Sequence, residues 1–189
     1  MIRIALVGSI GSGKTFISNL FGYPVFNADE SVSKIYSNNK KIFYKLKKRL
    51  PKFFTDPPIK KEELIKAIVK NKNSLNIISK IVHPEVRKDL QKFIKKHNKK
   101  KAIVLDIPLL LENKLNKKKD VIIFVKSPNT EVLKRLKKRK NFNNLVFQQL
   151  KKIQLPLDIK KRHSHYVIKN NFKKDSVRKN VKDILNKIL

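Results

Sequence analysis

Gly8-Ser9-Ile10-Gly11-Ser12-Gly13-Lys14-Thr15 follows directly on the apolar run Ile2-Arg3-Ile4-Ala5-Leu6-Val7. The spacing G-x-x-x-x-G-K-[ST] after a predicted strand is that of a phosphate-binding P-loop. Gly8, Gly11 and Gly13 let the backbone curl until successive N–H groups, those of Ser12 and Phe16 among them, converge on phosphate oxygens. A helix opening at Lys14 adds its positive end to the same spot. The Lys14 ammonium can reach the β- and γ-phosphates, and the Thr15 hydroxyl can hold Mg²⁺. A Gly/Ser-rich surface turn needs neither the closing Lys-Thr pair nor a buried strand ahead of it. The chain is expected to bind a nucleoside triphosphate.

Carboxylates follow two other predicted strands. Phe26-Asn27-Ala28-Asp29-Glu30 puts Asp29 at the carboxyl end of the second, where ligands bind in open α/β sheets. There it could accept a proton from an attacking hydroxyl, or cap the following helix. In Ala102-Ile103-Val104-Leu105-Asp106-Ile107-Pro108-Leu109-Leu110-Leu111-Glu112, four apolar residues end in Asp106. That is the form of a Walker-B element holding Mg²⁺ through water, and the same carboxylate, with Pro108 and Leu109, could instead line an acceptor pocket. His83, before Pro84, could meet an anionic substrate or end a helix. Arg135 and Arg139, four apart on a predicted helix after Ser127-Pro128, share a face, and one of them could steady charge on a transferring phosphoryl group; Arg139 is the catalytic candidate.

The elements that must position these residues are legible as runs and stripes. Residues 2–7, 25–26, 102–105, 121–125 and 166–168 read as short buried parallel strands. Phe16, Ile17, Leu20 and Phe21 give the P-loop helix an inner face, and Val177, Val181, Ile184, Leu185 and Ile188 do so for a terminal helix capped near Asp175 or Ser176. Strands alternating with helices predict an α/β fold, a parallel sheet covered on both faces. Residues from about 30 to 100 break that rhythm with helical stripes alone (Ile42, Phe43, Leu46, Leu50; then Leu64, Ile65, Ile68, Val69). Ser74 is placed to cap one helix and Pro84 to sit in the first turn of the next, while 51–58 reads as a loop. This is a helical insertion suited to holding a second substrate. Residues from about 138 to 163, basic and carrying Leu145, Val146, Phe147 and Leu150, read as a lid over triphosphate or as a solvated helical hairpin.

At 189 residues the chain suits one domain, and with no Cys it has neither disulfides nor thiolate metal sites. No apolar run approaches the ~20 residues needed to span a bilayer, and no signal peptide precedes the first strand. A soluble cytoplasmic protein without membrane association is expected. The formal charge of +33, from 47 Lys and Arg against 14 Asp and Glu, admits a nucleic-acid binder or a lysine-rich vocabulary at solvated positions. The lysines are scattered through nearly every segment with few interleaved aromatics, which favours the second reading and leaves only weak, nonspecific nucleic-acid binding.

The order of these pieces resembles the dephospho-CoA kinase family. Its pattern joins G-G-I-G-S-G-K-S, D-A-D, H-P, D-I-P-L-L-x-E, Q-M-P-L-E-E-K and A-D-x-V-I-x-N. Here stand the loop at 8–15, Asn27-Ala28-Asp29, His83-Pro84, Asp106 to Glu112, Gln154-Leu155-Pro156-Leu157-Asp158-Ile159-Lys160 and Val167-Ile168-Lys169-Asn170. The resemblance implies a three-layer P-loop kinase with a five-stranded parallel sheet, a helical acceptor-binding segment and a lid. It further implies transfer of the ATP γ-phosphate to the ribose 3′-hydroxyl of dephospho-CoA, with Mg²⁺, Asp29 as base and Asn170 near the adenine. Asn27, Phe16 and Ser164-His165 depart from the pattern, standing for Asp, Thr and Ala-Asp. The alternatives are another small P-loop kinase, for a nucleoside monophosphate, or an ATPase stimulated by nucleic acid.

Overall fold

In a computed structural model, which describes residues 1–71, 73–139 and 142–189, the five apolar runs become five strands of one sheet. The chain opens with β1 (Ile2–Gly8), α1 (Lys14–Leu20) and β2 (Val25–Asn27). Four helices follow: α2 (Ala28–Asn38), α3 (Lys40–Arg49), α4 (Lys61–Lys70) and α5 (Ser74–Lys96). Then come β3 (Ala102–Asp106), β4 (Val121–Lys126), α6 (Asn129–Lys137), α7 (Asn144–Lys152), α8 (Leu157–Arg162), β5 (Tyr166–Lys169) and α9 (Lys174–Ile188).

The sheet runs β2-β3-β1-β4-β5 with every pairing parallel, as predicted. Each strand extends one residue beyond its apolar run, to Gly8, Asn27, Asp106, Lys126 and Lys169. Hydropathy does not mark those residues because they lie where the strands leave the core, at the edge that carries the chemistry. Alternation settles the two faces. Ile4, Leu6, Val104, Ile123 and Ile168 pack with Ile17 and Phe21 of α1 and with Val177, Val181 and Ile184 of α9. Ala5, Val7, Ile103, Leu105, Ile122 and Phe124 are buried on the other face, where α8 packs on β1. The result is the three-layer P-loop arrangement.

Phe16 does not join the inner face of α1. It is 39% exposed while Ile17 and Phe21 are buried, because at 100° per residue position 16 turns away from the stripe defined by 17 and 21. Nor is α9 capped at Asp175 or Ser176: its N-cap is Lys173, whose N–H donates to Asn171 Oδ1 (3.0 Å), and Asp175 lies in the first turn.

The chain divides into two compact units, Met1–Asn27 with His97–Leu189, and Ala28–Lys96. The second is helical, with α2, α3 and α4 packed on α5. Ser31 Oγ donates to Asp89 Oδ2 (2.8 Å), joining α2 to α5, and Asn39 Oδ1 caps α3 at the Ile42 N–H (3.1 Å). The loop expected at 51–58 runs on to residue 60 and is tied by Glu63, whose carboxylate accepts from the Lys60 and Thr55 N–H groups.

Pro84 begins no new helix. The helix α5 passes through it, because the stripe Ile78, Val82, Val86 and Leu90 stays buried on both sides of it. Pro84 itself is exposed, so the Lys80 carbonyl it leaves without an intrahelical donor lies on the solvent side. Ser74 is the first residue of α5, but among the described residues its buried hydroxyl finds no hydrogen-bond partner, so it does not act as the cap.

Candidate active site

The P-loop is built on the carboxyl end of β1. Asn170 Nδ2 (2.8 Å) and Ser127 Oγ (2.9 Å) both donate to the Ser12 carbonyl. In a trans peptide the carbonyl and the next N–H point opposite ways. Pinning Ser12 O therefore turns the Gly13 N–H in the other direction, toward the hollow of the loop. Gly13 has φ 87°, and a Cβ there would overlap Asn170 Nδ2, so both the backbone and the close approach require glycine. Lys14 is buried, its Nζ donating to the carbonyls of Ser9 (2.7 Å) and Gly8 (3.3 Å), which leaves the ammonium folded against the loop.

Thr15 Oγ1 donates to Asp106 Oδ2 (2.6 Å), and Asn27 Nδ2 donates to the same oxygen (3.1 Å). Asp106 is thus held at the Thr15 end of the loop, at the carboxyl end of β3. Asn27, where the family pattern has Asp, donates its amide to this carboxylate instead of facing it with a second one. Among the described residues there is no cluster of three or more His, Cys, Asp or Glu that could hold a metal by itself. A hydroxyl and one carboxylate, with phosphate oxygens and water completing the shell, is nevertheless the donor set Mg²⁺ takes in phosphoryl-transfer sites.

Asn170 is buried, and its Oδ1 accepts from the Phe172 N–H (2.9 Å). Its amide bridges the loop and the turn after β5. Phe172 in that turn takes φ 62°, and the Arg135 guanidinium stacks on its ring at 4.2 Å. Arg139 does not share a helix face with Arg135, because α6 ends at Lys137. Arg139 lies beyond the C-cap with its N–H on the Leu136 carbonyl (3.1 Å), and it is exposed.

The stretch after β3 has a role that motif reading missed. Glu112 pairs with Lys160 Nζ (2.8 Å) and accepts the Leu155 N–H (2.9 Å), stitching D-I-P-L-L-x-E to Q-x-P-L. Pro108 and Leu109 are half-buried just before it. The two motifs each carry one of these charges, which was the available signal. In the basic segment read as a lid, α8 is anchored by this pair while α7 has no buried side chain; residues 140 and 141 lie outside the described residues. Lys160→Ala would leave Glu112 buried without its cation, and is expected to lower unfolding free energy by about 3–5 kcal/mol. Urea denaturation checks this, with Lys160→Met expected to be milder.

His165 stands where the family pattern has Asp, and its Nδ1 accepts the Ile122 N–H (3.0 Å) while its own N–H donates to Ile122 O (2.8 Å). An acceptor atom is what the position requires, and either residue supplies one. Beneath the sheet Arg3 pairs with Asp120 (3.0 Å); burial pushes that carboxyl up against the lowering pull of the Lys117 N–H and of Arg3.

In the helical unit Asp29 is exposed in the first turn of α2, two residues past the end of β2. His83 lies within α5, half-buried, and so does not end a helix; desolvation and then the neighbouring Arg87 charge hold its pKa below the usual value. Among the described residues no helix is long and apolar enough to cross a membrane.

Comparison with known proteins matches residues 2–175 to a family described as dephospho-CoA kinase. The dephospho-CoA kinase of Wolbachia pipientis is 32% identical over 190 residues, covering 98% of this chain and 97% of the relative. A solved Thermus thermophilus structure aligns over 100% of the chain and 98% of its own, with TM-score 0.79 at 24% identity. The dephospho-CoA kinase of Campylobacter jejuni aligns over 98% and 96%, with TM-score 0.64 at 22% identity. At those identities the two structures speak for the fold.

Proposed function

The chain belongs to the dephospho-CoA kinase family, and from that premise we propose how its residues carry out the transfer. The enzyme is an ATP-dependent phosphotransferase that phosphorylates dephospho-CoA in coenzyme A biosynthesis. In the proposed mechanism the ribose 3′-hydroxyl attacks the γ-phosphorus in line. A new O–P bond forms, the bond from the γ-phosphorus to the β–γ bridging oxygen breaks, and ADP leaves. Asp29 takes the hydroxyl proton. Its position two residues past the end of a strand in the sequence, and the family's D-A-D, support that role.

The loop N–H groups and Lys14 neutralise charge on the phosphates. Thr15, with Asp106 behind it, would hold Mg²⁺, whose charge offsets that developing on the β- and γ-oxygens. The observation that carries this reading is the Thr15–Asp106 contact, which joins a P-loop hydroxyl to a strand-end carboxylate 91 residues away. His83 is assigned to acceptor contacts in the helical unit, Arg139 to the transferring phosphoryl group, and 138–163 to a lid. The scattered excess of Lys raises the local concentration of anionic substrates.

Coupled ADP release with MgATP tests the assignment. ADP is expected with dephospho-CoA and not with AMP, without acceptor, or with RNA, alongside a product heavier by one phosphate. Turnover with AMP would make the chain a nucleoside monophosphate kinase, and stimulation by RNA would make it a nucleic-acid-dependent ATPase.

A further inference from the structure

Ser127, the first residue after β4, belongs to none of the motifs above, yet its Oγ donates to the Ser12 carbonyl of the P-loop (2.9 Å) from 115 residues away. Asn170, the first residue after β5, donates to the same oxygen (2.8 Å). A carbonyl oxygen has two lone pairs, and here each has a donor. We propose that Ser127 is a positioning residue for the triphosphate, acting with Asn170 through the Ser12–Gly13 peptide.

A peptide next to a glycine flips easily, because glycine accepts either sign of φ, and Gly13 stands at φ 87°. A flip would turn the Gly13 N–H out of the hollow and set a carbonyl oxygen there, which repels phosphate. Ser12 resists this little by itself. Its N–H donates to the Ser9 carbonyl (3.2 Å) within the loop, and its buried hydroxyl has no hydrogen-bond partner among the described residues. The resistance comes from two strand ends. β4 pairs with β1 and β5 pairs with β4, so both donors ride on the sheet that carries the loop. Asn170 is itself fixed, because its Oδ1 accepts the Phe172 N–H (2.9 Å) and so turns its NH₂ group to Ser12. Two donors on one acceptor are redundant: with either gone the other still holds the peptide, and with both gone it is free. Their losses should therefore combine to more than their product. The competing role for Asn170 is contact with the base, and for Ser127 a structural link alone.

The proposal rests on the loop holding the phosphates of ATP and not on the identity of the acceptor, so binding is measured with no acceptor present. The full chain, isotopically labelled at glycine nitrogen, gives amide NMR signals from Gly8, Gly11, Gly13 and Gly22, of which Gly22 lies beyond α1 and serves as control. Wild type, Ser127→Ala, Asn170→Ala and the double variant are titrated with MgATP, MgGTP and tripolyphosphate. The Gly13 signal is expected to move in free Ser127→Ala while Gly22 stays. Affinity should fall about threefold in each single variant, the weight of one ordinary hydrogen bond, and about thirtyfold in the double. The factor should be the same for all three ligands, and Ser127→Thr should restore the wild-type values. In steady state Ser127→Ala should raise KM for ATP and leave KM for dephospho-CoA unchanged. Ser127 is half-buried, so its variants carry the test even where Asn170→Ala does not fold. An unmoved Gly13 signal with unchanged affinity in Ser127→Ala overturns the proposal. So does a loss for ATP and GTP that spares tripolyphosphate, which would assign the pair to the base. A loss that follows a lowered urea midpoint, with no rescue by Thr, makes Ser127 a structural link and overturns it too. A wild type that binds none of the three ligands overturns the reading of the loop together with this one. The expected shifts without dephospho-CoA turnover would support the pair and overturn the acceptor alone.

Discussion

Lys14→Ala is expected to lower kcat by about 10³-fold, in the range seen when a preorganised charge on a developing oxyanion or phosphoryl group is removed. The side chain is buried in the loop with its ammonium on two loop carbonyls, Gly8 O and Ser9 O. Those contacts preorganise the charge before nucleotide arrives, so removing it strips stabilisation from the transition state more than from the fold. The change in unfolding free energy should stay within about 1.5 kcal/mol, the net worth of an ordinary hydrogen bond. Single-turnover kinetics at saturating ATP, beside a urea midpoint, separate the two. A midpoint that collapses along with the rate would mean that Lys14 holds the loop's shape rather than the phosphates.

Asp29→Asn is expected to lower kcat by about 10²- to 10⁴-fold, the usual weight of a general base, with little change in KM for ATP. The substitution keeps size and hydrogen-bonding shape and removes only the capacity to take a proton. Asp29 also lies in the first turn of α2, where a negative charge favours the helix end by about 0.3–1 kcal/mol. A helix-end role alone would therefore appear as a small stability loss with normal turnover. That result would remove Asp29 from the chemistry. A large drop in kcat without a matching loss of stability would keep it there.

These two predictions depend on parts of the chain that were legible in very different degrees. The five strands, their parallel sense and the P-loop could be read from residues 2–15 and four later apolar runs, because buried parallel strands are short, continuous and β-branched. The reading failed where a local rule met a longer packing stripe. Pro84 looked like a helix start, but the buried face of α5 continues through it and its missing N–H falls on the exposed side. Arg135 and Arg139 looked like one face because the spacing of four is helical, but α6 ends between them.

The sequence by itself determined which groups are available for phosphoryl transfer and in what order they come. Glycines, lysine and threonine at fixed spacing are a local code, and a strand followed by that spacing carries it without help from the rest of the chain. The tertiary structure decided what those groups face. The Thr15–Asp106 contact, and the pinning of Ser12 O by residues 115 and 158 positions away, hold the loop in a shape that no local pattern specifies. The same is true of Glu112, whose two partners lie more than 40 residues further along the chain. Such pairings depend on which strand lies beside which, and that order is set by burial of the sheet's two faces, not by spacing along the chain.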